Sequence, residues 1–252
     1  MMDLNLAGKT VLVTGGSKGI GQAVALAYLA EGAKVVVVAR NEADWMREFK
    51  AEYFQFIKAD LVMEQEREKV VEIALEKFGS IDILINNVGG SNGSTIAETE
   101  LSLFYEAFNL NYFSAVHFSQ LVLPKMKENG WGSIINISSI FGRESGGKAT
   151  YNAAKAAMIS FTKALADEAI KDGIRVNGVA PGSILHPSGN WKKRMEENPE
   201  KMKQFVKNEI PAGRFGTVEE IANVVLFLSS EKASWVVGAT LNVDGGQSKS
   251  NF

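Results

Sequence analysis

Thr10-Val11-Leu12-Val13-Thr14-Gly15-Gly16-Ser17-Lys18-Gly19-Ile20-Gly21 is the stretch on which the reading of this chain turns. A short Val/Leu run with no polar alternation reads as a strand covered on both faces, as in a parallel sheet. The glycines that follow allow a tight turn and let backbone N–H groups approach an anion, and the residues after them have a helical pattern. A glycine-rich turn alone commonly just joins strand to helix. Placed between the first strand and the first helix, it marks a pyrophosphate-binding turn, with Gly15, Ser17, Lys18, Gly19, Ile20 and Gly21 as the expected contacts. No Gly-Lys-Ser/Thr sequence follows, so the turn is not a Walker loop.

Outward from this turn the pattern repeats. Further strands are expected at Lys34–Ala39, Phe54–Lys58, Ile81–Asn86, Gly132–Ser138, Ile174–Ala180 and Thr240–Val243. Helical patterns lie between them at Gly21–Glu31, Glu64–Phe78, Leu101–Glu128, Tyr151–Asp172 and Val218–Ser229. Such alternation predicts a single α/β domain over residues 1–252, a doubly wound parallel sheet (Rossmann fold) with helices on both faces. One polar insertion, at about 185–214, interrupts the pattern without dividing it. It carries Trp191, Met195, Met202 and Phe205, whose spacing suits the packed face of a helix better than a substrate box.

Composition narrows the function. Of the 252 residues 46% are hydrophobic and 22% charged, with a net charge of −2, so no basic field argues for nucleic acid or an anionic membrane. There is no cysteine, and the two histidines, His117 and His186, lack ligand spacing, so no metal site is expected. The N-terminus has no basic segment leading into an apolar one, and no apolar run approaches membrane-spanning length. A cytoplasmic setting without a membrane partner is expected.

The second strand ends Val38-Ala39-Arg40. A dinucleotide fold that binds NAD through its ribose hydroxyls places an acid near this point. Here Ala39 leaves room, and Arg40 with Lys18 can clamp a 2′-phosphate, so NADP(H) is expected over NAD(H). Farther along, Tyr151 and Lys155 share one helix face at i,i+4 spacing. A nearby ammonium lowers the pKa of an acid, which would bring a phenol of pKa about 10 toward its working range.

Thr14–Gly21, Asn86-Asn87-Val88-Gly89, Asn111, Ser138-Ser139, Tyr151/Lys155, Pro181-Gly182 and Asp244-Gly245-Gly246 occur in order along essentially the whole chain. In this order and spacing the sequence resembles the short-chain dehydrogenase/reductase family, nearest the branch of 3-oxoacyl-carrier-protein reductases. The resemblance implies hydride transfer between a nicotinamide and a small carbonyl or alcohol, with Tyr151 as proton donor or acceptor. It also implies that Lys155 holds the nicotinamide ribose, a serine binds the substrate oxygen, and Asn111 holds a relay water. Asn87 and Gly89 would lie against the cofactor, Asp60 and Leu61 near the adenine, and Pro181, Gly182 and Ile184 beside the nicotinamide. Ser139 is followed by the Ile140-Phe141-Gly142 that the family pattern suggests, yet Ser138 keeps the common distance to Tyr151, so both remain candidates. His186 stands where the family often has threonine. Ser94, Phe141, His186 and Trp191 are the candidate substrate contacts. A homotetramer through the two long helices is a further family expectation. Two other readings stay open: a dehydrogenase of alcohols, sugars or steroids running oxidatively, and a non-catalytic dinucleotide sensor.

Overall fold

The computed structural model describes residues 3–251. Its elements, in chain order, are β1 (Thr10–Thr14), α1 (Gly19–Ala30), β2 (Lys34–Ala39), β3 (Phe54–Lys58), α2 (Glu64–Phe78) and β4 (Ile83–Asn86). Then come α3 (Leu101–Phe108), α4 (Ser114–Asn129), β5 (Gly132–Ile137), α5 (Ala149–Ala169) and β6 (Ile174–Pro181). The last part holds β7 (Ile184–Leu185), α6 (Asn190–Glu197), α7 (Pro199–Glu209), β8 (Gly216–Thr217), α8 (Val218–Ser229) and β9 (Thr240–Val243). Seven strands form one sheet in the order β3-β2-β1-β4-β5-β6-β9, and every pairing is parallel. The doubly wound sheet expected from the sequence is present.

Strand periodicity explains the two cores. Val11, Val13, Val35, Val37, Ile83 and Ile85 face one side, where Val24, Ala25 and Tyr28 of α1 and Ile221, Ala222 and Val225 of α8 cover them. Leu12, Val36, Val38, Leu84 and Ile134 face the other, against Val70 and Ala74 of α2, Phe118 and Val122 of α4 and Ala166 of α5. Both sides of each central strand are therefore apolar, the pattern read from the unbroken Val/Ile runs. The chain leaves β1 toward β2 on one side and returns to β4 on the other. That reversal opens a crevice at the carboxyl ends of β1 and β4, where ligands bind in open α/β sheets.

One region differs from the sequence reading. The helix expected over Leu101–Glu128 is divided: a π-turn at Asn109–Phe113 separates α3 from α4. Its residues keep helical backbone angles at both flanks, so hydrophobic periodicity carries no sign of the break. The insertion is folded, as the helical spacing of its apolar residues suggests. It forms α6 and α7 around Met202, Ile210 and Phe215, with Trp191, Met195 and Phe205 packed against them. β7 and β8 pair at its base, Ile184 with Gly216 and Leu185 with Thr217.

Arg175, on β6 and only 7% exposed, ties α8 to the sheet. Its Nη1 donates to the carbonyls of Leu228 (2.6 Å) and Ala233 (3.1 Å), and its Nη2 to those of Ser229 (3.0 Å) and Ser230 (2.8 Å). Carbonyls at a helix C-terminus lack internal partners, and a buried guanidinium supplies them here. Arg175→Met should therefore cost about 3 kcal/mol, since charged hydrogen bonds are lost and buried carbonyls left unpaired. For a chain of this size that is a fall in Tm of roughly 6–12 °C, read by thermal unfolding at equal protein concentration. A change under about 2 °C would mean that water reaches these carbonyls.

Candidate active site

The crevice is a cavity of about 790 Å³ that runs from the β2 end, past the glycine turn, to the end of β5. The turn is built around Thr14. Its hydroxyl donates to the Ile85 carbonyl (3.1 Å) and accepts the N–H groups of Asn87 (2.9 Å) and Val88 (3.1 Å). Asn87 Nδ2 donates to the carbonyls of Thr14 (2.9 Å) and Gly15 (3.1 Å), so the first and fourth strand ends are stitched together. A Cβ at Gly21 would lie 2.4 Å from the Gly15 carbonyl oxygen, and Gly15 has φ +69°. Only glycine fits either place. Trp45 Nε1 donates to the Ser17 carbonyl from outside the turn (3.3 Å).

Among the sequence candidates, Gly15, Ser17, Lys18, Gly19, Ile20, Gly21, Arg40, Asp60, Leu61, Asn87, Gly89, Pro181, Gly182 and Ile184 all line this cavity. Lys18 and Arg40 are exposed at its β2 end and, among the described residues, form no salt bridge. Ala39 lies between them in the lining, and Glu42, also there, is held by Arg47 at 3.3 Å. Asp60 caps the turn before α2 by accepting the Val62 N–H (3.3 Å). These features suit a dinucleotide: a glycine cradle without room for Cβ atoms, a helix N-terminus, and two unpaired cations at one end.

At the other end Ser139, Tyr151 and Lys155 converge. Ser138 Oγ donates to the Lys155 carbonyl (3.0 Å) and so braces α5, whereas Ser139 is the hydroxyl beside Tyr151. Lys155 is 2% exposed, its Nζ donates to the Ile137 carbonyl (2.7 Å), and it lies 5.6 Å from the centre of the Tyr151 ring. Burial pulls this ammonium down from its ordinary 10.5 to about 8. Burial likewise pushes the Tyr151 phenol above its ordinary 10, with the contact to Ser139 working against the rise. Burial thus acts on this phenol in the sense opposite to the lowering by an ammonium expected from the sequence.

Asn111 braces the loop after β4. Its carboxamide is fully buried, with Nδ2 donating to the Gly90 (2.9 Å) and Ala107 (2.9 Å) carbonyls and Oδ1 accepting the Gly90 N–H (3.0 Å). Both amide hydrogens are engaged by backbone carbonyls, so the side chain shapes the Gly89-Gly90 loop. The fit is close: a Cβ at Gly89 would come 2.6 Å from Asn111 Oδ1 and 3.4 Å from Lys155 Nζ.

The four substrate candidates separate. His186 and Trp191 line the cavity; Ser94 and Phe141 do not. Ser94 sits in an exposed turn, where its N–H donates to Thr99 Oγ1 (2.9 Å) and its hydroxyl to Glu98 (3.0 Å). The Phe141 ring instead covers Gly146 and Gly147, so closely that a Cβ at Gly146 would lie 2.5 Å from it. Trp191 has two duties, since it also stacks on Phe205 with centroids 4.8 Å apart. The sequence reading missed Gly90, Ser91, Asn190 and the buried Arg67. Arg67 donates to the Leu61 carbonyl (2.7 Å) and Asn109 Oδ1 (2.7 Å), linking the loop after β3 to the π-turn. A lone arginine amid the charges of α2 gives no sequence signal of burial. Among the described residues no cluster of ligating side chains could hold a metal.

A family model described as enoyl-(acyl carrier protein) reductase matches residues 15–248. The 7α-hydroxysteroid dehydrogenase of Escherichia coli (strain K12) is 36% identical over 251 residues, 97% of this chain and 96% of that protein. The 3-oxoacyl-[acyl-carrier-protein] reductase FabG of Thermotoga maritima is 34% identical over 249 residues, 96% of this chain and 99% of that one. Among solved structures, L-sorbose reductase from Gluconobacter frateurii, complexed with NADPH and L-sorbose, superposes with a TM-score of 0.91 at 34% identity. That match covers 99% of this chain and 100% of the other. The chain belongs to the short-chain dehydrogenase/reductase family and is an oxidoreductase that acts on CH–OH and C=O groups with a nicotinamide cofactor.

Proposed function

We propose that the protein is an NADP(H)-dependent reductase of a small carbonyl compound, with Tyr151 as proton donor. The observation that carries this reading is one continuous cavity, with Lys18 and Arg40 unpaired at one end and Ser139, Tyr151 and Lys155 together at the other. Bound nicotinamide would supply the hydride. Ser139 Oγ would donate to the substrate oxygen and fix it beside the Tyr151 hydroxyl, which gives up its proton as charge develops there. Lys155, anchored by the Ile137 carbonyl, would place a positive charge behind the phenol and hold the nicotinamide ribose. The Gly89-Gly90 loop, fixed by Asn111, would form the floor against the cofactor, with Pro181, Gly182 and Ile184 opposite. Asp60 and Leu61 would border the adenine.

A homotetramer is part of the reading. It is supported by apolar side chains that α3 and the π-turn expose, Leu101 at 63%, Tyr105 at 68% and Phe113 at 52%. So is a cytoplasmic setting, which suits a chain with no disulfide to form; among the described residues no helix is long and apolar enough to cross a membrane. An oxidative dehydrogenase is the second reading, favoured by similarity to the steroid dehydrogenase. A panel of ketoses, steroid ketones and 3-oxoacyl compounds with their alcohols, run in both directions and followed by nicotinamide absorbance, decides between them.

NADPH should bind more tightly than NADH by roughly 10–150-fold for each charge-assisted hydrogen bond to the 2′-phosphate. Ala39→Asp should narrow or reverse that preference. Titration with both cofactors checks it, and equal affinities would remove the NADP(H) assignment.

Tyr151→Phe keeps the ring and should leave NADPH binding intact while turnover falls by about 10²–10⁴-fold. Near wild-type turnover on a substrate that the parent reduces well would refute the proton-donor role. A sensor would bind NADPH yet oxidise it no faster with any carbonyl.

The pKa of Lys155 gives a third test. A folded-state value near 8 against an ordinary 10.5 means that a buried charge costs stability in full below pH 8. The cost is relieved as pH rises from about 8 toward 10.5. Relative to Lys155→Met, the wild type should therefore gain about 2 kcal/mol between pH 7 and 9.5. Over the same range carbonyl reduction should fall as the ammonium loses its proton. Parallel stability profiles for the two proteins would contradict a desolvated Lys155.

A further inference from the structure

His186 has no place in the mechanism above, yet it lies over the glycine turn. The residue follows β7 directly, and its half-buried ring is held between two glycines. A Cβ built on Gly19, at the first residue of α1, would lie 3.2 Å from both Nε2 and Cε1. One built on Gly189 would lie 2.7 Å from Nε2. Both positions must stay without side chains for the imidazole edge to reach the turn. Nδ1 is within 3.3 Å of Ser188 Oγ, which settles that side of the ring locally. Nε2 faces the turn, and it lines the cavity together with Lys18, Gly19 and Ile20.

The surroundings select an anion. The first turn of α1 holds no acidic residue, so nothing on the helix neutralises its N-terminal N–H groups. The charged group that acts on the imidazole is Lys18, from the turn itself, and no carboxylate faces it from its own segment or from α1. The neighbours Gly19, Ser188 and Gly189 are uncharged. With Lys18 and partial burial as its only company, the imidazole is held below its ordinary 6.5. A pyrophosphate on the same N–H groups would bring two negative charges to this side and reverse the balance.

We propose that His186 is a cofactor-binding residue, its protonated Nε2 donating a hydrogen bond to a phosphate oxygen of the dinucleotide seated on the Gly15–Gly21 turn. Binding then takes up a proton, and affinity weakens as pH rises past neutrality. The inference rests on the reading of the cavity as a dinucleotide site and adds to it a pH-dependent contact. Because His186 follows β7 and precedes α6, the same bond ties the segment bearing Trp191 to the cofactor. The 2′-phosphate is not needed for it, so NADH should show the coupling as well as NADPH.

The chain has two histidines, which makes the test direct. With ring-labelled histidine, the C2–H signals of His186 and His117 are titrated by NMR with and without saturating NADPH. His186→Gln identifies the signal, and His117→Gln does so if the first variant fails to fold. The His186 midpoint should move upward by about one unit or more on binding, with His117 unmoved. Each unit corresponds to a tenfold change in affinity. Dissociation constants for NADPH and NADH at pH 6 and pH 8.5 should then weaken about threefold or more beyond any change in His186→Gln. A midpoint that stays or falls in the NADPH-saturated protein overturns the proposal and leaves the dinucleotide site standing. Failure of both cofactors to bind the wild type at every pH overturns both.

Discussion

The ammonium of Lys155 is buried against the Ile137 carbonyl, and the shape of the reactive end of the cavity follows from making room for it. α5 must cross the end of β5 closely enough for that 2.7 Å contact, and Ser138 secures the crossing by donating to the Lys155 carbonyl. Gly142 is required by the same approach, since a Cβ there would come 2.8 Å from the Lys155 carbonyl. Gly89 is required on the other side, between Asn111 and the ammonium. One desolvated charge thus dictates two glycines, one serine and the path of a helix. Tyr151, one turn earlier on α5, inherits its position from them.

The phosphate end depends on a different kind of contact. There the organising group is neutral, the Thr14 hydroxyl, which serves one carbonyl and two N–H groups where β1 meets β4. The topology reverses at this junction, and no strand continues the ladder past it. Side-chain hydrogen bonds from Thr14 and Asn87 replace the missing ladder bonds and keep the glycine turn open. The two ends are then connected through the interior: Arg67 holds Leu61 and Val62 after β3 and Asn109 at the head of the π-turn. Two residues farther along the π-turn, Asn111 fixes Gly90.

Much of this was legible in the sequence, and the reason is physical. Runs such as Val35-Val36-Val37-Val38 permit no assignment but a strand buried on both faces, and the glycine turn is defined by backbone conformations that other residues cannot adopt. The ends of α2, α8 and β9 fall where the residue pattern puts them. The π-turn was illegible because one inserted residue shifts a helix face by less than hydrophobic periodicity resolves. The backbone partners of the Asn111 carboxamide were illegible too, because such occupancy is a fact of three dimensions. Ser94 and Phe141 lie outside the cavity lining for a related reason. Each lies near a motif in sequence but turns to a local partner, Thr99 and Glu98 for one, Gly146 and Gly147 for the other. The spacing of Trp191, Met195, Met202 and Phe205 did signal a packed helical face, and α6 and α7 supply it.

The protonation state of the reactive pair bears on the direction of the chemistry. In water an ammonium beside a phenol favours phenolate, and sequence reasoning carries that expectation into the site. Burial acts on both partners toward neutrality, raising Tyr151 and lowering Lys155 to about 8. Near neutral pH the phenol then keeps its proton while the ammonium keeps its charge, which is the state needed to donate a proton to a carbonyl oxygen. Removing a proton from an alcohol would first require phenolate, the form that desolvation disfavours most. The contact to Ser139 works in the opposite sense, so the side chain placed to bind the substrate oxygen is also the one that eases the phenol toward giving up its proton.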